Sequence, residues 1–119
     1  MIYGIGTDLI EVERIRKACE KESFREKIHT EKEQQLIIGS AQRAAGNFAV
    51  KESVVKAFGT GFGKISPIDV EVLREPSGRP YVNLHGQAKV FFEAEGMQKV
   101  HVSISNLKEY ALAYVIVEV

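Results

Sequence analysis

Hydrophobic and polar positions alternate with two different periods along this chain, and the change from one to the other marks out its elements. From about Ala41 to Phe58 the period is helical. Phe48, Ala49, Val50, Val54, Val55, Ala57 and Phe58 spread almost all round a wheel of roughly 100° per residue, which predicts a helix packed on most sides. Gly39 and Ser40 break the pattern before it, and Gly59 is a natural C′ residue to end it. Upstream, Met1 to Thr7 holds β-formers interrupted by Gly4 and Gly6, a short strand whose backbone approaches something closely. From Ile10 the pattern turns helical, with Val12, Ile15, Ala18 and Cys19 on one face and Glu11, Glu13, Arg14, Arg16 and Lys17 around the other. Ser23 and Thr30 read as N-caps, and Thr30 with Glu33 forms a capping box for a short helix to about Ile38.

Beyond the glycines at 59, 61 and 63, Ile68, Val70 and Val72 alternate with Asp69 and Glu71, as in a half-buried strand. Pro76-Ser77-Gly78 is a turn and Pro80 to Leu84 the returning strand. Gly86 to Glu95 carries Ala88, Phe91 and Phe92 at helical spacing, Lys99 to Ser105 alternates again, and Tyr110 to Val119 is strongly β-prone after a turn at 106–109. The order of elements predicts one α+β domain over residues 1–119, a small antiparallel sheet packed against a long, largely buried helix. Ala111, Leu112, Ala113, Val115, Ile116 and Val117 offer apolar groups to both faces of the last strand, too many for an ordinary edge, so self-association is expected.

Composition narrows the classes of partner. Sixteen basic and sixteen acidic side chains balance to a formal charge of zero, which argues against nonspecific binding to nucleic acid or anionic membranes. A single cysteine, Cys19, excludes an internal disulfide framework, and no apolar run approaches the roughly 20 residues needed to span a bilayer. With no basic leader ahead of the first strand, the expectation is a soluble, unprocessed chain in the cytoplasm.

Candidate chemistry clusters on and around the central helix. Asp8 and Glu52 both adjoin apolar, glycine-containing segments and suit a shared hard cation such as Mg²⁺, which takes one or two carboxylates and leaves its other positions to water and phosphate oxygens. The competing assignment makes Asp8 an N-cap of the next helix and Glu52 an intrahelical partner of Lys56. Lys51 falls among Val54, Val55 and Phe58, where an unpaired ammonium is costly. Lys51, Lys56 and the glycine loop suit phosphates, although a plain C-cap and loop accounts for the glycines equally well. His101, Ser103 and Ser105 share one side of their strand without an oxyanion motif, and His29 and His85 have no metal-ligand spacing, so both are expected to face solvent. Arg14, Arg16 and Lys17 form a basic patch that is a solvated face on these grounds alone.

Four separated stretches, in order, resemble the holo-(acyl carrier protein) synthases, the short bacterial 4′-phosphopantetheinyl transferases. They are 4–12 (GIGTDLIEV), 47–53 (NFAVKES) with 56–61 (KAFGTG), 78–80 (GRP) and 101–105 (HVSIS), and the likeness covers nearly the whole chain. The resemblance implies transfer of the 4′-phosphopantetheine arm of coenzyme A to a serine of apo acyl carrier protein in fatty acid biosynthesis, releasing adenosine 3′,5′-bisphosphate. It implies Asp8 and Glu52 as Mg²⁺ ligands, with Lys56 joining them as a catalytic residue. Lys51, Lys56, Gly59, Thr60, Gly61, Gly78, Arg79, Pro80 and His101 match coenzyme A-binding positions. It further implies a homotrimer with active sites between subunits, and docking of the carrier by Arg14 and, less directly, Arg16. Asn47, Val55 and Asn106 depart from the usual arginine, small or hydroxylated residue, and histidine. Asn47 and Asn106 leave open a second function, a non-catalytic trimeric module binding coenzyme A or a nucleotide.

Overall fold

The computed structural model describes residues 1–119. Strand β1 (Ile2–Glu11) leads into three short helices, α1 (Val12–Ala18), α2 (Glu22–Ile28) and α3 (Glu31–Ile37), and then into the long helix α4 (Ala41–Phe58). A 3₁₀ turn at Pro67–Asp69 precedes the hairpin of β2 (Val70–Arg74) and β3 (Pro80–Leu84), and α5 (Gly86–Ala94), β4 (Lys99–Asn106) and β5 (Tyr110–Glu118) complete the chain. The architecture is α+β, with two antiparallel sheets where one was expected: β1-β5-β4 has three strands, and β2-β3 stands alone as a pair.

The apolar last strand is the centre of the larger sheet. β5 pairs with β1 on one side and β4 on the other, and Ala111, Ala113, Val115 and Val117 are fully buried on its inner face. Its ladder to β1 continues to the chain ends, where the Met1 amino group donates to the Val119 carbonyl at 2.9 Å and the Val119 amide donates back to Met1 at 2.7 Å. On the outer face Ile5 and Leu9 of β1 lie beside Ile116 and Leu112 of β5, and Leu9 is 63% exposed. That face is an apolar patch with nothing from the same chain to cover it.

Helix α4 packs on the inner face, and the two glycines of β1 explain how closely. A Cβ on Gly6 would lie 1.8 Å from the Ser53 carbonyl oxygen, and one on Gly4 would lie 2.1 Å from that of Ala57. Strand backbone therefore touches helix backbone directly, as the glycines suggested. The helix ends where expected, with Gly59 in the left-handed region (φ 79°) and the amides of Thr60 and Gly61 returning to the Val55 carbonyl.

Three local expectations are corrected. β1 runs on to Glu11, and Glu11, not Asp8, stands at the N-cap of α1, because the strand ladder keeps Asp8 paired opposite Ala113. α2 starts at Glu22 behind Lys21, so Ser23 lies inside the helix and caps nothing. His29 is buried: its Nδ1 meets the Arg25 carbonyl at 3.0 Å and its ring packs edge-on against Phe24. The capping box of α3 forms as read, with the Glu33 amide donating to Thr30 Oγ1 at 3.3 Å and the Thr30 amide donating to Glu33 Oε1 at 3.1 Å.

Candidate active site

The faces of α4 separate three jobs. Ala49, Ser53 and Ala57 meet the large sheet, where Ser53 Oγ donates to the Ala49 carbonyl at 2.7 Å and lies 3.4 Å from that of Ala113. Asn47 and Lys51, one turn apart, turn toward α3 and β2. Phe48, Glu52 and Lys56 form the remaining stripe at spacings of four, along the border between core and solvent.

That border stripe meets Asp8. Asp8 points inward from β1, its side chain 16% exposed, and its Oδ1 accepts from Lys56 Nζ at 3.2 Å. Lys56 Nζ also donates to the Thr7 carbonyl at 3.0 Å, so this lysine bridges strand and helix and does not pair with Glu52. Glu52 forms no ion pair at all. Partial burial holds its carboxyl above the usual carboxylate range, the negative charge of Asp8 adds to this, and the charges of Lys56 and Arg14 oppose it. Two carboxylates close enough for the charge of Asp8 to act on Glu52, with Glu52 unpaired, form an all-oxygen donor set that fits a hard divalent cation. Asp8, Glu52 and Lys56 are thus assembled from β1 and α4 in a single chain.

Lys51 is elsewhere, and the expectation that it meets coenzyme A is corrected. Its side chain is fully buried, and its Nζ donates to Glu33 Oε1 at 2.9 Å, to the Pro67 carbonyl at 2.9 Å and to the Val70 carbonyl at 2.6 Å. All three ammonium protons are used inside the protein. Glu33 is equally saturated: Oε1 also accepts the Thr30 amide, while Oε2 accepts from Asn47 Nδ2 at 3.3 Å and from the Val72 amide at 3.1 Å. Burial pushes the Glu33 carboxyl up and the Lys51 ammonium down. Four donors on the two oxygens nonetheless require the ionised acid, and the pair is charged. Burial and the charge of Lys51 push the neighbouring His29 down to about 4, which leaves its imidazole neutral near pH 7.

Sequence patterns find only half of this cluster. Thr30 and Glu33 are visible as a capping box, but nothing local links Glu33 to a lysine 18 residues away. Asn47, one of the three departures, belongs to the same cluster, fully buried and donating to the Val72 carbonyl at 3.0 Å.

The remaining candidates are not joined to Asp8 within one chain. Gly59, Thr60 and Gly61 follow directly on Phe58 at the end of α4, where Thr60 Oγ1 donates to the Gly61 carbonyl at 2.9 Å. Gly78, Arg79 and Pro80 make the turn between β2 and β3, with Gly78 at φ 93° and the Glu75 amide donating to the Arg79 carbonyl at 2.9 Å. His101 sits in register with Ile116 and Ile5 on the outer face, opposite to Asp8, and contacts the Glu118 carboxylate. Arg14 is exposed and free of ion pairs, near enough to Glu52 to act on its charge. Arg16 is held by Glu13 at 2.6 Å and Glu20 at 3.0 Å, so a docking partner would have to displace two carboxylates. A cavity of about 810 Å³ between α1, α3 and the start of α4 contains none of Asp8, Glu52 or Lys56.

The fold and the sequence of the whole chain place it in a known class. Residues 4–115 match the 4′-phosphopantetheinyl transferase superfamily. A holo-[acyl-carrier-protein] synthase of Lachnoclostridium phytofermentans is 54% identical over 119 residues, covering 100% of this chain and 98% of the relative. The crystal structure of the synthase from Neisseria meningitidis superimposes with a TM-score of 0.91 at 30% identity, covering both chains completely. The synthase of Bacillus anthracis, solved in complex with CoA (3′,5′-ADP), gives a TM-score of 0.83 at 39% identity over 99% of this chain and 97% of that one. Within the superfamily, this chain belongs to the holo-[acyl-carrier-protein] synthase family.

Proposed function

We propose that this protein transfers the 4′-phosphopantetheine group of coenzyme A to a serine hydroxyl of apo acyl carrier protein, the step that readies the carrier for fatty acid biosynthesis, and releases adenosine 3′,5′-bisphosphate. The observation that carries this is the convergence of Asp8, Glu52 and Lys56 from two elements 44 residues or more apart in sequence, in a family whose relatives are named for this reaction. Asp8 and Glu52 would hold Mg²⁺, which when bound neutralises charge on the pyrophosphate and orients it for in-line attack. Lys56, half exposed and tethered to Asp8 and the Thr7 carbonyl, offers its ammonium to a phosphate oxygen. The loop after α4 and the turn at 78–80 leave room for the nucleotide to approach, since a Cβ at Gly59, Gly61 or Gly78 would meet nothing within 4 Å. Arg14, unpaired on α1 beside Glu52, gives an acidic carrier a contact next to the reacting group.

The outer sheet face supports a trimer with sites between subunits. Ile5, Leu9, Leu112 and Tyr114 form a surface that water solvates poorly, and His101 on that same face would reach a neighbour's nucleotide, not its own Asp8. Leu112→Asp is expected to convert the oligomer to monomers and to lower turnover by at least about tenfold, since a charge in a desolvated interface is unpaired. Light scattering beside a transfer assay checks this, and an intact oligomer would remove the face from the interface. The single Cys19 and the absence of any helix long and apolar enough to cross a membrane accord with work in the cytoplasm.

The deciding experiment incubates the protein with coenzyme A, Mg²⁺ and apo carrier and follows the carrier by mass spectrometry. Addition of one phosphopantetheine per carrier is expected. A non-catalytic binding module would leave both coenzyme A and carrier unchanged, and that result would end the proposal.

A further inference from the structure

Helix α4 meets β1 through bare backbone at Gly4 and Gly6, and Lys56 is the side chain that hydrogen-bonds across the contact, to Asp8 and the Thr7 carbonyl. The backbone contact brings the helix close but does little to fix its rotation about its own axis or its position along the strand. Glu52 and Lys56 depend on both, because a residue is carried roughly 100° around the helix for each step along it. Core packing of the buried face of α4 sets coarsely the angle at which this border stripe faces Asp8, and directional bonds made by the same helix set it closely.

The buried carboxylate of Glu33 has the contacts to do it. Its four accepted hydrogen bonds come from three separate elements: the Thr30 amide at the start of α3, Asn47 and Lys51 on α4, and the Val72 amide of β2. Lys51 adjoins Glu52 in sequence, and it extends the grip to the Pro67 and Val70 carbonyls at the root of the β2–β3 hairpin. Two anchors one turn apart on one helix face fix rotation and axial position together, and hydrogen bonds to an ionised acid are directional. The same carboxylate ties α4 to the hairpin whose turn bears Gly78, Arg79 and Pro80.

We propose that Glu33 is a positioning residue for the transfer reaction, setting through Lys51 and Asn47 the orientation of α4 that aims Glu52 and Lys56 at Asp8, and holding the 78–80 hairpin to the same helix. This rests on the transferase function proposed above. Glu33 touches no reacting group, since it is wholly enclosed. Its effect is on the alignment of groups that do.

The test compares wild type, Glu33→Gln and the double variant Glu33→Leu/Lys51→Met in the full chain. Glutamine keeps the size but turns an NH₂ toward groups that are all donors, while the double variant removes both charges and leaves a packed apolar pair, which often restores stability. Three quantities are read: the thermal midpoint, the Kd for Mn²⁺ by water-proton relaxation with neither coenzyme A nor carrier present, and KM for coenzyme A against kcat. Groups that orient metal ligands typically change metal affinity by 10- to 100-fold when removed. The expectation is at least a tenfold weaker Mn²⁺ Kd and a raised KM in Glu33→Gln at temperatures where circular dichroism shows it folded, with the double variant recovering its midpoint but not its Mn²⁺ affinity. Should Glu33→Gln not fold, the double variant decides alone. Recovery of midpoint and Mn²⁺ affinity together, or a folded Glu33→Gln with both constants within twofold of wild type, would make Glu33 a stabilising residue only and overturn the proposal. Wild type that binds Mn²⁺ yet transfers nothing would instead count against the transferase function, leaving the Mn²⁺ arms to report on Glu33.

Discussion

Replacing Asp8 or Glu52 with alanine is expected to lower phosphopantetheine transfer by about a thousandfold or more, equivalent to roughly 4 kcal/mol of transition-state stabilisation, while the folded protein becomes no less stable. The two halves of that expectation have one cause. Glu52 has no ion pair and is held in a partly desolvated position beside another carboxylate, so removing either acid relieves repulsion and desolvation. Asp8→Ala does strip Lys56 of a partner at 3.2 Å, but that ammonium is half exposed, so solvent screens the pair and its loss costs little. A site that carries uncompensated charge for the sake of a ligand shows opposite signs in activity and stability. Mass spectrometry of the carrier and a thermal melt of each variant measure the two signs. Turnover within tenfold of wild type in both variants would exclude these carboxylates from the reaction.

Gly6→Ala is expected to produce the largest loss of stability of any single-methyl change in the chain. The added Cβ would lie 1.8 Å from the Ser53 carbonyl oxygen and 3.0 Å from the Ala57 amide nitrogen, both backbone atoms of α4. No flexible side chain is available to move aside, and the helix itself must shift by more than an ångström. Overpacking in cores usually costs about 1–3 kcal/mol and more where backbone has to move, so a loss of at least about 3 kcal/mol is expected. For a domain of this size that is a fall of roughly 10 °C or more in the thermal midpoint. Gly63→Ala is the control, since a Cβ there meets nothing within 4 Å, and it should melt within about 2 °C of wild type. A melt of Gly6→Ala matching that control would mean that helix and strand are not in direct contact. Because α4 carries Glu52 and Lys56, the Gly6 variant should also lose transfer activity below its melting range.

These cases show which features the chain announces locally. Gly4 and Gly6 interrupt a strand pattern, and interruption of that kind marks close backbone approach; the length of α4 follows from Ser40 at one end and Gly59 at the other; the double-faced apolarity of the last strand argues against an ordinary edge, and the strand lies in the middle of its sheet. Each depends on neighbouring residues. The partners of the charged groups do not. Lys51 was recognisable as a buried lysine in need of a counter-ion, but Glu33 and the carbonyls of Pro67 and Val70 are brought to it only by the packing of α3 and β2. Lys56 has Glu52 four residues away at ideal helical spacing and instead bonds Asp8, because β1 delivers Asp8 and the Thr7 carbonyl to its side of the helix. The burial of His29 was hidden for a similar reason: a histidine next to a helix end is usually wet, and here Phe24 and the Glu33 cluster close over it.

The pairing of the first strand with the last has a consequence for the birth of the protein. β5 is the middle strand of the larger sheet, so residues 110–118 must leave the ribosome before that sheet can exist. Until then β1 and the inner face of α4 have no sheet between them and β4. Contacts closing across more than a hundred residues form slowly, and the apolar segments awaiting them are exposed meanwhile. The α3 capping box and the β2–β3 hairpin, by contrast, close over short stretches of chain and take no residue from β5.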